Sequence, residues 1–249
     1  MKYYYDLHMH SALSPCGDND MTPNNMINMA VLKGLDIIAV SDHNSCRNAA
    51  AVMEAGQKAG IIVVPGIEVE SAEEVHILTL FPDIGSAEKM EKRIAEKMPP
   101  VRNREEIFGE QLILDSDDNE TGRIETLLIS ASALSSEEIF EEAYDAGGIA
   151  VPAHVDRDSY SMISNLGAVP EDLDVRLIEL SSECDRNLFF DNYPGLAEYP
   201  VLRNSDAHYL WDISERINYI STERQITDAG SLIRLLRGPA ADYTLGSDA

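Results

Sequence analysis

The sequence predicts an α/β fold, a mostly parallel sheet wrapped by helices and closed or nearly closed into a barrel. Three observations predict it. Short apolar runs alternate with amphipathic stretches from the first residues onward. Several runs, such as Asp36-Ile37-Ile38-Ala39-Val40 and Ile61-Ile62-Val63-Val64, are continuously apolar, as strands buried on both faces are. Nearly every histidine falls at or near the end of such a run, where barrel enzymes gather their chemistry.

In chain order, Tyr3-Tyr4-Tyr5-Asp6-Leu7-His8 reads as the first strand because aromatic residues suit a pleated surface. His8 and His10 are two apart, so a strand points both imidazoles the same way. A polar loop, residues 13–20, leads to Thr22-Pro23, an N-cap followed by a first helical residue, and Gly34 ends that helix. The strand at 36–40 is followed by a helix from near Ser45 to Gly60. The strand starting at Ile61 continues through Pro65-Gly66 to Glu70, and Val75–Phe81 forms its hairpin partner. Ser86–Met98 is an amphipathic helix stopped by Pro99-Pro100. Residues of about 86–135 read as an inserted helical or lid region, not as a second domain, so residues 1–249 form a single barrel domain. Ser135-x-x-Glu138 is a capping box. Strands follow at 149–153, 175–181, 200–204 and 217–220, with a last helix near 228–237.

Composition narrows the function. The chain carries 44 acidic and 19 basic residues, a net charge of −25. Such a surface lacks the basic groups that release counterions from nucleic acid, and it would be repelled by anionic membranes. The expectation is therefore a small anionic substrate handled locally through metal ions, with a nucleic-acid polymer disfavoured and no membrane partner. The three cysteines, Cys16, Cys46 and Cys184, are odd in number and scattered. They imply no disulfide framework and a reducing, cytoplasmic home. Residues 1–12 lack the pattern of a signal peptide, and no apolar run reaches membrane-spanning length.

The six histidines are His8, His10, His43, His76, His154 and His208. Alone, a histidine in an apolar strand is more often a core residue than a ligand. Together at strand ends, and joined there by Asp18, Asp42, Glu68 and Asp206, they predict a metal centre. Imidazole with carboxylate suits Zn, Mn or Fe, and the donors are too many for one tetrahedral ion. Two or three divalent ions are expected. Asp42, beside His43, is expected to accept an imidazole N–H and fix its tautomer.

The ordered motifs His8-x-His10, Ser41-Asp42-His43, Gly66-Ile67-Glu68, His76, Ala153-His154 and Ser205-Asp206-Ala207-His208 resemble those of the PHP (polymerase and histidinol phosphatase) superfamily. The resemblance is strongest over residues 3–83, extends in motif only over 148–220, and is weak across 86–135. It implies a distorted (β/α)7 TIM-like barrel with a trinuclear centre. His8, His10, Glu68 and Asp206 would hold one ion. Glu68 would bridge to a second, with His76 and His154. His43 and His208 would hold a third, completed by Asp18, with Asp20 a rival and Cys16 a weaker one.

The implied activity is that of a metal-dependent phosphoesterase. It would hydrolyse a small phosphate monoester, a nucleotide or sugar phosphate, with a hydroxide bridging two ions as nucleophile. Asp206 or Asp18 would steer protons, Glu68 would bridge the reacting ions, and Arg157, then Arg186, would bind the phosphate; Arg47, Arg102 and Arg104 are further candidates. The alternatives are a 5′–3′ exonuclease or oligonucleotide phosphatase, a non-catalytic metal-binding module, and C–N bond hydrolysis.

Overall fold

The computed structural model describes residues 1–248. Its strands and helices follow the predicted alternation. β1 (Lys2–Asp6), α1 (Pro23–Lys33), β2 (Ile37–Val40), α2 (Ala49–Ala59) and β3 (Ile62–Glu70) form the first βαβαβ stretch, with β1, β2 and β3 parallel. β4 (His76–Leu80) turns back antiparallel to β3, pairing Glu70 with His76 and Glu68 with Leu78. After α3 (Ile84–Ala95), α4 (Glu105–Phe108), β5 (Leu112–Leu114), β6 (Glu120–Arg123) and α5 (Ser136–Asp145), β7 (Ile149–Pro152) pairs antiparallel to β4 and so runs parallel to β3.

The next elements are α6 (Met162–Leu166), β8 (Ile178–Ser181), α7 (Arg186–Asn192) and β9 (Val201–Asn204), and β8 and β9 form a separate parallel pair. That pair closes the wall. Val155 N–H donates to Glu179 O at 3.0 Å on one side. On the other, Leu7 N–H donates to Asn204 Oδ1 at 2.8 Å, and Met9 bridges to Ala207. Seven staves, β1-β2-β3-β4-β7-β8-β9, thus surround the core of a distorted TIM-like barrel. β10 (Asn218–Thr222) pairs with the lower half of β1, α8 (Ala229–Leu236) follows, and β11 (Tyr243–Ser247) extends that edge.

The barrel interior and its outer helical layer are both apolar. Leu7, Ile37, Ala39, Val64, Leu78, Val151, Leu177 and Leu202 are buried in one cluster, and Met26, Val52, Ile67, Met90, Phe140 and Leu180 in the other. The antiparallel β4 matters for function. Its first residue, His76, arrives at the rim where the other strands end, because the strand runs the opposite way.

The capping box at Ser135 and Glu138 forms as expected. The inserted region differs from the purely helical reading. Besides α3 it carries the β5–β6 hairpin, whose short strands and acidic turn lack the apolar alternation that announces a strand. It is stitched to the barrel by side chains that follow β2. Asn44 Nδ2 donates to Leu128 O at 2.7 Å and Ser130 O at 3.0 Å, and Asn48 Nδ2 donates to Leu112 O at 3.0 Å.

Candidate metal centre

Five imidazoles enclose one carboxylate. Glu68, 1% exposed, has oxygens 3.2 Å from His8 Nε2, 3.4 Å from His10 Nε2, 3.1 Å from His43 Nδ1, 3.0 Å from His76 Nδ1 and 3.2 Å from His154 Nε2. The rings form a closed circuit. Centroids are 5.4 Å apart for His8–His10, 4.5 Å for His10–His43, 5.1 Å for His43–His76, 5.4 Å for His76–His154 and 6.1 Å for His154–His8. His208 stacks on His10 at 4.3 Å. Asp206 Oδ1 lies 3.0 Å from His10 Nε2 and 3.4 Å from His8 Nε2.

Strand geometry explains the gathering. His8 and His10 leave the end of β1 on one face. The peptide of His43 forms a parallel bridge beside Glu68, where β2 would continue along β3. His154 and Asp206 sit just past β7 and β9 with φ of 29° and 52°, and Asn44, beside His43, has φ of 53°. Left-handed backbone at non-glycine residues carries strain, and here it falls at the residues that aim the donors.

Three groups have donor atoms within 4.8 Å of one another: His8, His10, Glu68 and Asp206; His43, Glu68 and His76; and His10, His43 and His208. Four donors about 2.1 Å from a tetrahedral ion stand about 3.4 Å apart, so the separations around Glu68 fit shared metal ligation. His8 Nε2 and His43 Nδ1 are buried and face Glu68 at 3.2 and 3.1 Å without forming a hydrogen bond to it, as donors that share an ion with a carboxylate would. The first predicted ligand set is brought together whole. His154 approaches Glu68 as expected, while His43 joins Glu68 and His76 more closely than foreseen.

The charges are balanced by protons in the metal-free chain. Burial works against charge on His8 and His10, yet the carboxylates around them win. Glu179, Glu68 and Asp206 hold His8 well above its usual pKa, and Asp206 and Glu68 hold His10 at about 9. Burial also opposes charge on Glu68 and Asp206, but the imidazoles keep both below the usual carboxylate range. His43 and His208 behave in the opposite sense. Burial, then neighbouring imidazoles, lowers His208 to about 4, and burial drives His43 well below its usual value.

Outer partners orient these ligands. Glu179 takes His8 Nδ1 at 3.0 Å, the His154 N–H at 2.9 Å and Asn204 Nδ2 at 2.7 Å. Sequence reasoning missed Glu179; its signal was a lone acid inside the apolar run Leu177-Ile178-Glu179-Leu180. Asp42 does not accept from the His43 ring as expected. It accepts the Ser11 N–H at 2.7 Å, the Ser11 hydroxyl at 2.6 Å and the Ser14 hydroxyl at 2.7 Å. The Ser14 oxygen lies 3.0 Å from His10 Nδ1, so Asp42 steers His10 through Ser14. Asp6 similarly anchors the Asp206 loop by accepting from the Ser205 hydroxyl at 2.6 Å and from the Ser214 N–H at 2.9 Å.

The centre opens into a cavity of about 270 Å³ lined by Cys16, His43, Glu68, Glu70, His76, Ile129, His154, Arg157, Ser159, Tyr160, Asp206 and His208. Arg157 stands at its rim and donates to Asp206 Oδ2 at 2.5 Å. Tyr160, which sequence reasoning did not single out, stacks on His76 at 4.8 Å. Arg186 lies outside the cavity lining, with its guanidinium 5.5 Å over the Phe190 ring. Asp18 is not brought into any of the three donor groups. Its Oδ1 accepts the Asp20 N–H at 2.8 Å, and Asp20 is exposed. Arg47 pairs with Glu91 at 3.4 Å, Arg102 lies 4.0 Å from Glu125, and Arg104 stacks 5.9 Å from Phe108.

A barrel rim bearing clustered imidazoles and carboxylates around an open cavity is the arrangement of a candidate metal centre, and comparison with known proteins narrows the class. The PHP domain family model matches residues 6–146, more than half of the 249 residues, and the chain belongs to that family. The lesion-specific endonuclease PfuEndoQ of Pyrococcus furiosus has a similar fold, with a TM-score of 0.71 at 19% identity over 98% of this chain and 58% of that one. A second endonuclease Q structure, in complex with a 27-mer duplex carrying an abasic lesion, aligns with a TM-score of 0.67 at 17% identity, covering 98% of this chain and 58% of the other. A phosphoribosyl 1,2-cyclic phosphate 1,2-diphosphodiesterase of Eggerthella lenta is 34% identical over 86 residues, 32% of each chain. A 5′-3′ exoribonuclease of Salmonella typhimurium is 27% identical over 113 residues, 43% of this chain and 37% of its own length. The matched segments thus span about a third of these two relatives.

These relatives correct one expectation. Net charge disfavours a nucleic-acid polymer and favours a small phosphate ester as the partner, but lesion-specific endonucleases share this fold and an exoribonuclease matches part of this sequence. The reason is physical: overall charge sums the whole surface, whereas phosphate is met at a metal cluster whose ions carry the positive charge. What the family match and the geometry together establish is a PHP-domain barrel whose rim gathers imidazoles and carboxylates in three donor groups. No helix among the described residues is long and apolar enough to cross a membrane.

Proposed function

We propose that the chain hydrolyses phosphate ester bonds in nucleic acid, taking an end or an unpaired nucleotide into the cavity. The observation that carries this reading is Glu68, ringed by five imidazoles and opening, with Asp206, onto a cavity large enough for a phosphoryl group and part of its sugar. Divalent ions held by these side chains, two or three of them and of the Zn, Mn or Fe kind, supply Lewis-acid charge and an activated water.

The chain's own residues do the rest. Arg157 leaves Asp206 to grip the phosphate, which its planar fork suits. The Tyr160 ring, braced on His76, forms a flat wall against which a base or sugar rests. A second groove of about 740 Å³ lies beside the cavity, lined by Asn44, Arg47, Lys92, Arg123 and Leu128, among others. Asn44 and Leu128 there are the chain neighbours of His43 and Ile129 in the cavity. The groove's basic side chains stand beside Glu88 and Glu91, so a strand lying there would displace Arg47 from Glu91.

The test is a substrate panel for metal-loaded protein: 5′-labelled single-stranded RNA and DNA, a duplex with an abasic site, a mononucleotide and a cyclic phosphate. Cleavage of the oligonucleotides, lost in Glu68→Gln, is expected. Turnover confined to mononucleotides or cyclic phosphates would sink the nucleic-acid reading, and no turnover on any ester would sink the catalytic one.

A further inference from the structure

We propose that Asn48 is a positioning residue for the metal ligand His10, and that through it the inserted region fixes the site of the ion facing His8, His10, Glu68 and Asp206. This rests on the metal-dependent reading of the centre and gives the insertion a part in it.

Asn48 stands at the N-cap of α2, yet its side chain makes no capping hydrogen bond to that helix. An asparagine there ordinarily accepts from the first N–H groups of its own helix. This one turns to the insertion instead. Its Oδ1 accepts the Leu114 N–H at 2.9 Å, and its Nδ2 donates to Leu112 O at 3.0 Å and to Ser11 Oγ at 2.9 Å. The amide is thus fully engaged between β5 and the turn that carries His10. β5 also grips that turn directly. Leu112 N–H donates to Ala12 O at 2.9 Å, and Ala12, Leu112 and Leu114 form a small buried apolar cluster.

From Ser11 inward, each hydrogen has one place to go. Ser11 Oγ accepts from Asn48 and from the Leu13 N–H at 3.2 Å, which fills both lone pairs, so its own hydrogen goes to Asp42 Oδ2 at 2.6 Å. The Asp42 carboxylate only accepts, so the Ser14 hydroxyl donates to it at 2.7 Å. Ser14 Oγ also accepts the His43 N–H at 3.2 Å, and its remaining lone pair faces His10 Nδ1 at 3.0 Å. His10 therefore carries its hydrogen on Nδ1. Its Nε2 is left aimed between Asp206 at 3.0 Å and Glu68 at 3.4 Å, where the ion would sit. Asn48, Ser11, Asp42, Ser14 and His10 are all buried, so water cannot substitute for a missing member. The backbone of β5 thus reaches a metal ligand through three side chains and Asn48, and displacing that strand would release the ring.

Cobalt titration of the full metal-free chain against a competing chelator, followed in the visible bands, tests this. Ser14→Ala, next to the ring, is expected to weaken the tightly bound ions about 10–100-fold, and Asn48→Ala by a smaller factor of about 3–10. Asn24→Ala removes another tie to the insertion, the Nδ2 bond to Ser116 O at 2.8 Å, which does not lead to His10. It is expected to leave affinity unchanged. The deciding variant combines Ser14→Ala with Asn48→Ala. If Asn48 acts through Ser14, the pair binds no more weakly than Ser14→Ala alone, whereas a merely structural Asn48 makes the two losses multiply. Ring nitrogen-15 NMR of zinc-loaded wild type is expected to show His10 with hydrogen on Nδ1 and metal on Nε2, a measurement that needs no variant to fold. Multiplied losses, full affinity in Asn48→Ala, an equal loss in Asn24→Ala, or His10 bound through Nδ1 overturns the proposal and leaves the metal-dependent reading intact. A chain that takes up no ion overturns both.

Discussion

The two poles of the metal centre are built on opposite electrostatics. At the inner pole, His8 and His10 face Glu68, Asp206 and, for His8, Glu179, and their pKa values rise, His10 to about 9. At the outer pole, burial outweighs the nearby Glu68 carboxylate at His43 and is joined by His10 at His208, and their pKa values fall, His208 to about 4. The inner pole holds protons in place of metal and must release them to bind an ion. The outer pole is already deprotonated, and the carboxylate nearest His43 is Glu68, which it shares with the inner pole. The inner ions should therefore bind tightly with strong pH dependence, and the outer ion more weakly and with less.

Glu68→Ala is the most disruptive way to test that division, because Glu68 belongs to both the first and the second donor groups. It is expected to lose the ions of both groups and to lower kcat/KM by roughly 10³-fold or more. Metal analysis after dialysis checks it. Retention of the wild-type ion count would show that the imidazoles suffice alone.

Glu179→Gln tests the inner pole from behind. The amide keeps the shape but removes the negative charge that faces His8 Nδ1. Metal affinity is expected to fall about 10–100-fold, with ion binding at His43 and His208 unchanged. An equal loss at both poles, seen by calorimetric titration, would break the comparison.

The same charges predict a pH signature in the metal-free protein. His10 has a folded pKa raised to about 9 from an ordinary 6.5. A raised pKa means that its contribution to stability is fully present below about 6.5 and is lost as pH climbs through about 9. The melting temperature of the metal-free chain should drop over that window, and saturating metal should abolish the drop, since the ion replaces the proton. A flat profile in metal-free protein would mean that the imidazole–carboxylate network is weaker than its geometry suggests.

What could be read in advance follows from how each feature is encoded. The barrel and its donors were legible because strands ending in His8, His43, Glu68 and His154 carry position directly: a residue at a strand end is at the rim. The supporting partners were not. Glu179 and Ser14 act through contacts across 171 and 4 residues, and only the closed wall brings Glu179 to His8. Asp42 lies in the expected neighbourhood but reaches an imidazole only through Ser14, because the turn after β1 folds Ser11 and Ser14 over it. The β5–β6 hairpin escaped notice because it is held by Asn48 and Gln111 side chains more than by its own apolar pattern. Arg186 illustrates the limit for long basic side chains, whose direction depends on tertiary neighbours such as Phe190.

Asp18→Ala gives the smallest effect and the finest distinction. If the Asp18 carboxylate only closes its own turn, as its 2.8 Å bond from the Asp20 N–H suggests, the variant loses one exposed hydrogen bond. The expected cost is about 0.5–1 kcal/mol in unfolding free energy by denaturant titration, with the ion count and the cobalt spectrum of wild type. Asp20→Ala should do less, because its side chain is exposed and outside every donor group. An Asp18 variant that instead loses one ion would place its carboxylate on the outer ion. The outer pole would then carry negative charge of its own, and the electrostatic contrast between the two poles would narrow.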